Sequence, residues 1–476
     1  MDDWDDHGHK TTFQLWVGRP DGDPVYIGFL RIAHMDMETD EDFSWMSDRL
    51  PERFKSLPEG CFSLGQEDDY YAELRALPNG LGVEILRALS DVAYDYDHLY
   101  PTVSERHVFK TSLMRDTSAD DLLRMHRIAR GGERVTPYEW EFTAAPSGLS
   151  PPHTFTFRAD PGSLPPTNLH ALIGRNGVGK SHLLHALARE VSEGAVEVRS
   201  LVAGDSPAGL QGCVVVSFSP FDKPYTSGDV LPIKYVGLRR QTNEGLKSDE
   251  VLLDEFVESF RIARIGARGT RWLKAVSTLN YAASGFLDGH MEELHSCMRV
   301  SSLPRLRARL ARVFGSLSSG HKVVLLTVTR LIELVTERTL VLVDEPETHL
   351  HPPLLVALMR CVSDLMSHRN GMAIMATHSP VVLQEVPRSC VWKLERHGDT
   401  LTAYRLELET YGENLGELTH AAFGLEVPAT GYHARIAEMA AAGMSYEEVV
   451  SRFTGLGSEA RSLARALTYA RSPRHR

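Results

Sequence analysis

Apolar and polar positions alternate along residues 12–34, on both sides of the turn-rich stretch from Gly18 to Pro24, and this pattern predicts a β-hairpin. Residues 40–130 lose that alternation and read as a mixed, largely helical insertion, as in the stretch from Tyr70 to Tyr96. A strand begins near His153, a Pro/Gly-rich loop follows, and a short apolar strand ends at Ile173. A helical pattern starts at Ser181, so strand, Gly-rich loop and helix open a βα unit. Residues 213–219 form another buried type of strand, and residues 245–312 read as helices. A strongly apolar helix is predicted over residues 322–337, right after Gly320 and His321. The segments 339–347 and 371–380 are short apolar strands that end in polar residues, and residues 389–408 form a hairpin turning at His397, Gly398 and Asp399. Beyond about residue 411 the pattern is helical, with a capping-box signature at Ser445 to Glu448.

The chain of 476 residues is long enough for one large or two to three ordinary domains. A hydrophobic fraction of 42% and a charged fraction of 24% fit a soluble globular protein. No apolar run is long enough to span a bilayer, and the acidic N-terminus is the reverse of a secretory signal. Five scattered cysteines without C-x-x-C spacing fit reduced thiols, so a cytoplasmic location without membrane contact is expected. The net charge of −12 is concentrated in the first hundred residues, which hold 22 acidic and 8 basic side chains. That excess argues against nucleic acid wrapping around the N-terminal region.

Three stretches carry chemistry. Gly174 to Ser181 has the spacing G-x-x-x-x-G-K-S. The glycines Gly174, Gly177 and Gly179, with Asn176 and Val178 between them, let backbone N–H groups converge on phosphate oxygens, helped by the helix start. Lys180 brings a positive charge to the β- and γ-phosphates, and the Ser181 hydroxyl is a Mg²⁺ ligand. Asp344 and Glu345 end an apolar strand, where ligands of α/β sheets bind. Asp344 would hold Mg²⁺, and Glu345 would orient or deprotonate an attacking water. His378 ends another apolar strand and could sense a γ-phosphate, although a lone histidine there is more often structural. His349 and His351 have H-x-H spacing, but without a third ligand they read as a loop at a subunit interface rather than as a metal site.

Together these residues resemble the ABC-type ATPase heads, in order across roughly residues 150–410. Gly174–Ser181 matches their Walker A loop, Val341–Glu345 their Walker B strand, and His378 their switch histidine. Leu317 to His321 matches the signature loop, with Ser319 in place of a glycine and His321 in place of a glutamine. Thr348 to His351 falls at the D-loop, with His351 where an aspartate is usual. No glutamine follows the strand 213–219, which leaves Ser217, Ser219 or Asp222 for the Q-loop role. The runs from Asp344 to Pro352 and from Ala376 to Pro380 look most like the OLD-like and Septu-type anti-phage defence ATPases.

The resemblance implies an α/β fold of the P-loop NTPase class, a mixed β sheet with flanking helices, using ATP and Mg²⁺. It implies an N-terminal β-hairpin plus an acidic, mostly helical insertion in residues 1–150 and a Walker A lobe in 151–244. A helical subdomain (245–315), a lobe with signature, Walker B and switch histidine (316–410) and a helical C-terminal extension (411–476) follow. It also implies a homodimer, or a higher oligomer of dimers, in which Ser318, Ser319 and Gly320 of one subunit cap the nucleotide of the other. Only about 135 residues separate Walker A from the signature, too few for the long coiled coil of SMC heads. Residues 400–476 hold no aspartate and so no D-x-D nuclease pair, which implies a separate effector protein, such as a nuclease, docked on residues 35–130 or 411–476. The alternatives are a RecF-like repair ATPase binding DNA through Arg239, Arg240, Lys247, Arg261, Arg264, Arg268 and Arg271, and a scaffold whose assembly ATP gates.

Overall fold

A computed structural model describes residues 10–469 apart from 20–21, 38–45, 116, 118, 132–135, 145–151, 161, 202–208, 220–224, 226, 241–244, 282–285, 288, 399 and 424–430. At its centre lie β6 (Leu169–Ile173), β8 (Gly212–Ser217), β9 (Ile233–Gly237), β10 (Thr339–Asp344), β11 (Met372–Thr377), β12 (Val391–His397) and β13 (Thr400–Tyr404). They form one sheet in the order β13-β12-β6-β11-β10-β8-β9. All neighbours pair in parallel except β13, which runs antiparallel to β12. The fold is thus the expected α/β class with a mixed sheet.

Strands β6, β10 and β11 are buried at every position, which requires cover on both faces and explains their unbroken apolar runs. Alternate residues serve the two layers. Val341 and Val343 pack on a helical layer that includes α11 (Ser319–Leu334) and α12 (Pro352–His368), while Leu340 and Leu342 pack toward α6 (Lys180–Ser192). The α6 side is closed by an antiparallel sheet of β4 (Tyr138–Ala144), β5 (His153–Ala159) and β7 (Val198–Ser200), rich in aromatic rings such as Trp140 and Phe157.

Helices α7 (Asp249–Ala263), α8 (Gly266–Leu279), α9 (Met291–Cys297) and α10 (Leu303–Ser316) fill the predicted helical region 245–312; α7 and α8 pack against α11, and α10 packs on α7 and α9. Trp272 of α8 is wholly buried there, and its indole N–H donates to Thr329 Oγ1 of α11 at 2.9 Å. Truncating such a side chain to alanine costs roughly 3–5 kcal/mol.

The N-terminal part contains the hairpin expected over residues 12–34, and the insertion after it is not all helical but adds a third strand. It carries a three-stranded antiparallel sheet, β1 (Thr12–Arg19), β2 (Gly22–His34) and β3 (Cys61–Gly65). Helices α1 (Met46–Arg49), α2 (Asp68–Ala76), α3 (Leu81–Ala88), α4 (Tyr96–Val103) and α5 (Ala119–Ala129) surround it, with a core of their own around Phe62, Tyr70, Leu74 and Val92. A buried cation ties this unit to the sheet domain. Arg124 of α5 is fully buried and meets Asp68 at 2.8 Å, Asp121 at 2.6 Å, and Glu337, two residues before β10. Asp121 also lies 3.5 Å from Arg369, just past α12.

After β13 come α13's neighbour α14 (Leu415–Phe423), with α13 itself spanning Pro380–Gln384, and then three helices, Gly431–Ala441, Tyr446–Ser451 and Ser458–Tyr469. These three share a small core of Ile436, Val449, Ala460 and Ala464. The capping box forms as predicted, with Ser445 Oγ accepting from the Glu448 amide and Glu448 accepting from the Ser445 amide.

Candidate functional site

The P-loop emerges from the carboxyl end of β6 and runs into α6. Gly177 and Gly179 sit at φ 78° and 112°, in the region that favours glycine. Gly174 is glycine for another reason: a Cβ there would stand 2.6 Å from the Leu394 carbonyl oxygen of β12. Val178 is buried and anchors the loop to the core, while Asn176 and Gly177 stay exposed and Ser181 is half-buried. The Lys180 ammonium is buried and donates to the carbonyls of Gly174 (3.0 Å) and Arg175 (3.2 Å). Burial lowers its pKa, and Glu345, Asp344 and Glu347 pull in the opposite direction. The three carboxylates therefore act electrostatically on the P-loop lysine.

Asp344 ends β10 in register with Ser217 of β8 on one side and Ala376 of β11 on the other. Ser217 is wholly buried, and its Oγ accepts from the Ser219 amide at 3.4 Å. Of the residues considered for the Q-loop role, Ser217 is thus the one held beside Asp344, and Asp222 lies outside the described residues. Glu345 adopts φ 45°, ψ 60°, left-handed for a non-glycine, while its amide donates to Ala376 O at 2.9 Å. Such a conformation costs about 1 kcal/mol or more and is held only by its surroundings.

That turn brings in a residue the sequence reading passed over. Glu347 Oε1 accepts from Thr377 Oγ1 and from the His378 amide, both at 2.7 Å, and lies 3.1 Å from His378 Nδ1. His378 Nδ1 is also 3.9 Å from Glu345 Oε1. The histidine ring therefore stands between two carboxylates at the edge of β11. The signal was present as the second glutamate of Asp344-Glu345-Pro346-Glu347, but its role depends on a partner thirty residues away.

The residues expected to form a signature loop lie at the N-terminus of α11. Helix α11 starts at Ser319, three residues earlier than the apolar pattern suggests, so Ser319 and Gly320 belong to its first turn. Ser318 is the N-cap, its Oγ accepting from the His321 amide at 3.3 Å. Ser318 and Ser319 are exposed. Among the described residues, Ser318 to Gly320 make no hydrogen bond to Gly174–Ser181. His321 packs edge-on against Phe286 at 5.1 Å; burial and then the neighbouring His351 lower its pKa. His349 lies in a short 3-10 turn, Pro346–His349.

The basic residues considered for DNA contact are largely engaged within the chain. Lys247 pairs with Glu255 at 2.8 Å and Arg261 with Glu258 at 2.6 Å. Arg264 donates to the carbonyls of Cys297 and Val300. Burial pushes Arg271 down to about 9.

Residues 306–384, from α10 to α13, match the family described as "AAA domain, putative AbiEii toxin, Type IV TA system". Among solved structures, "an inward-facing conformation of a putative metal-chelate type ABC transporter" is similar over 60% of this chain and 88% of its own, at 18% identity and a TM-score of 0.30. The ADP conformation of MJ1267, an ATP-binding cassette of an ABC transporter, is similar over 60% of this chain and 93% of its own, at 14% identity and a TM-score of 0.28. Protein ea59 of Escherichia phage lambda is 33% identical over 501 aligned positions, covering 98% of this chain and 93% of the phage protein. No helix among the described residues is long and apolar enough to cross a membrane. Similarity at that level along nearly all of both chains means that this protein belongs to the family of phage lambda protein ea59, and within it residues 306–384 match an AAA domain.

Proposed function

We propose that the protein is an ATP-hydrolysing enzyme that works as a nucleotide-sandwich dimer. The observation that carries this reading is a division of labour along the chain. Gly174–Ser181, Asp344, Glu345 and His378 follow the carboxyl ends of the neighbouring strands β6, β10 and β11, while the start of α11, exposed at Ser318 and Ser319, makes no hydrogen bond to its own P-loop among the described residues. The loop fits a triphosphate: two glycines have positive φ, a third has its Cβ space taken by a carbonyl, and a lysine lies within. Ser181 and Asp344 are the oxygen donors that would hold Mg²⁺, which when bound neutralises charge on the transferring phosphoryl group. Lys180 holds the β- and γ-phosphates. Glu345 orients and deprotonates the attacking water, and His378, positioned by Glu347, donates a hydrogen bond to the γ-phosphate. Ser318, Ser319 and Gly320 of a second subunit close the site, and hydrolysis reopens it.

Glu345→Gln would keep ATP bound without turnover. With ATP, this variant should shift from monomer to dimer in mass photometry, and Lys180→Ala should not. A Glu345→Gln protein that stays at one mass with and without ATP would overturn the sandwich.

At the level of biology we propose the ATPase and sensor subunit of an anti-phage system that controls a separate effector, of the OLD-like or Septu type. Its support is the run from Asp344 to Pro352 and the family matched by residues 306–384, whose description names a toxin. A phage-borne relative is compatible with this where one phage excludes another. A nuclease gene beside this one would support the proposal, and a replication or repair operon would sink it. The DNA-repair alternative is weakened by the internal pairing of Lys247, Arg261 and Arg264.

A further inference from the structure

A cleft lies beside the P-loop, with Arg175 to Val178 on one wall and Leu394 to Gly398 of the β12–β13 hairpin on the other. The two walls are fixed relative to each other. Strand β12 runs parallel to β6, with Trp392 opposite Leu172 and Lys393 opposite Ile173, and the Leu394 carbonyl fills the space that a side chain at Gly174 would need. Further along the hairpin, Arg396 reaches the phosphate loop: a Cβ on Gly179 would stand 3.6 Å from its Nη2. The neighbouring charges are committed elsewhere. Glu395 pairs with Lys393 at 2.8 Å and lies 3.7 Å from His397. Arg396 itself is exposed and makes no hydrogen bond or ion pair among the described residues.

We infer that Arg396 is a nucleotide-binding residue, its guanidinium gripping the phosphates that ATP and ADP share. This rests on the ATPase reading above. A guanidinium presents a planar fork that matches phosphate oxygens, and this one is supplied by a rigid hairpin rather than by the loop itself. The sheet order decides which phosphates it meets. Glu345 and His378 sit at the ends of β10 and β11, on one side of β6, whereas β12 lies on the other side. A contact from the β12 flank falls away from the reacting γ-phosphate. It therefore stabilises ground state and transition state alike, and changes affinity without changing the chemical step.

The test is nucleotide affinity by titration calorimetry, with ATP measured in the Glu345→Gln background, and steady-state hydrolysis with Glu345 present. Arg396→Ala should weaken ATP and ADP binding by a similar factor of about 10, with kcat within about twofold of the parent. Arg396→Lys should recover part of the affinity. Unchanged binding of both nucleotides would overturn the proposal and leave the ATPase reading standing. Loss of ATP affinity alone would also overturn it, by putting Arg396 at the γ-phosphate. If the parent protein binds neither nucleotide, the ATPase reading fails and this proposal with it.

Discussion

Glu347 holds the His378 backbone amide and lies beside its imidazole, so under the proposed function it is a positioning residue with a distinct signature. Removing it frees Thr377 Oγ1 and the His378 amide, both 2.7 Å from the same carboxylate oxygen. Glu347→Ala should lower kcat at least about tenfold with little change in ATP affinity, since displacements near 1 Å at a reacting centre carry such costs. Glu347→Gln keeps an acceptor oxygen and should restore much of the rate; equal loss in both variants would mean that charge, not position, is what Glu347 supplies. A second carboxylate makes a pH prediction. Burial raises Asp91 to about 7, against hydrogen bonds from the Tyr94 amide, the Tyr71 hydroxyl and the Gly65 amide. Between about pH 4 and 7 the folded protein holds a proton there that the unfolded chain releases, so this contribution to stability is present at low pH and lost as pH rises through about 7. Asp91→Asn should flatten the fall in melting temperature between about pH 5 and pH 8, and parallel curves for the two proteins would refute the assignment.

Helix α11 shows how an element can be read nearly correctly and still carry a new constraint. Its apolar run was visible in the sequence, but the helix reaches back to Ser319 because Ser318 caps it through the His321 amide. An arginine at Ser319 therefore projects from the first turn into the space assigned to a partner's nucleotide. Ser319→Arg should leave ATP binding by the isolated subunit within about twofold and abolish hydrolysis. Normal turnover would reduce this stretch to an ordinary helix start. The placement of Gly174–Ser181, Asp344–Glu345 and His378 at strand ends was legible because each follows a short apolar run, and parallel pairing of those strands brings the ends to one side of the sheet. Strand β3 was not, because Cys61–Gly65 is buried at all five positions and so shows no alternation. Glu347 was not, because only the left-handed turn at Glu345 carries it to a strand thirty residues away.

Across the molecule, the joint between the N-terminal unit and the sheet domain is electrostatic and buried. Arg124 serves Asp68, Asp121 and Glu337 at once, so Arg124→Ala takes the shared cation away from three buried carboxylates and leaves Arg369 beside Asp121. We expect a loss of about 3 kcal/mol or more in a denaturant melt, and a smaller loss for Arg124→Ala combined with Glu337→Gln. Additive effects in the double variant would mean that the pair does not interact. None of this was readable from spacing, since Arg124 and Glu337 are 213 positions apart and each alone looks like a surface charge.

The same cluster limits how this family can diversify. An N-terminal unit without a cation at position 124 would leave Glu337, at the foot of β10, buried without the partner it has here. An exchange of residues 10–131 therefore has to carry Glu337 and Arg369 with it, which puts the joint of a chimera inside the sheet domain rather than at its border.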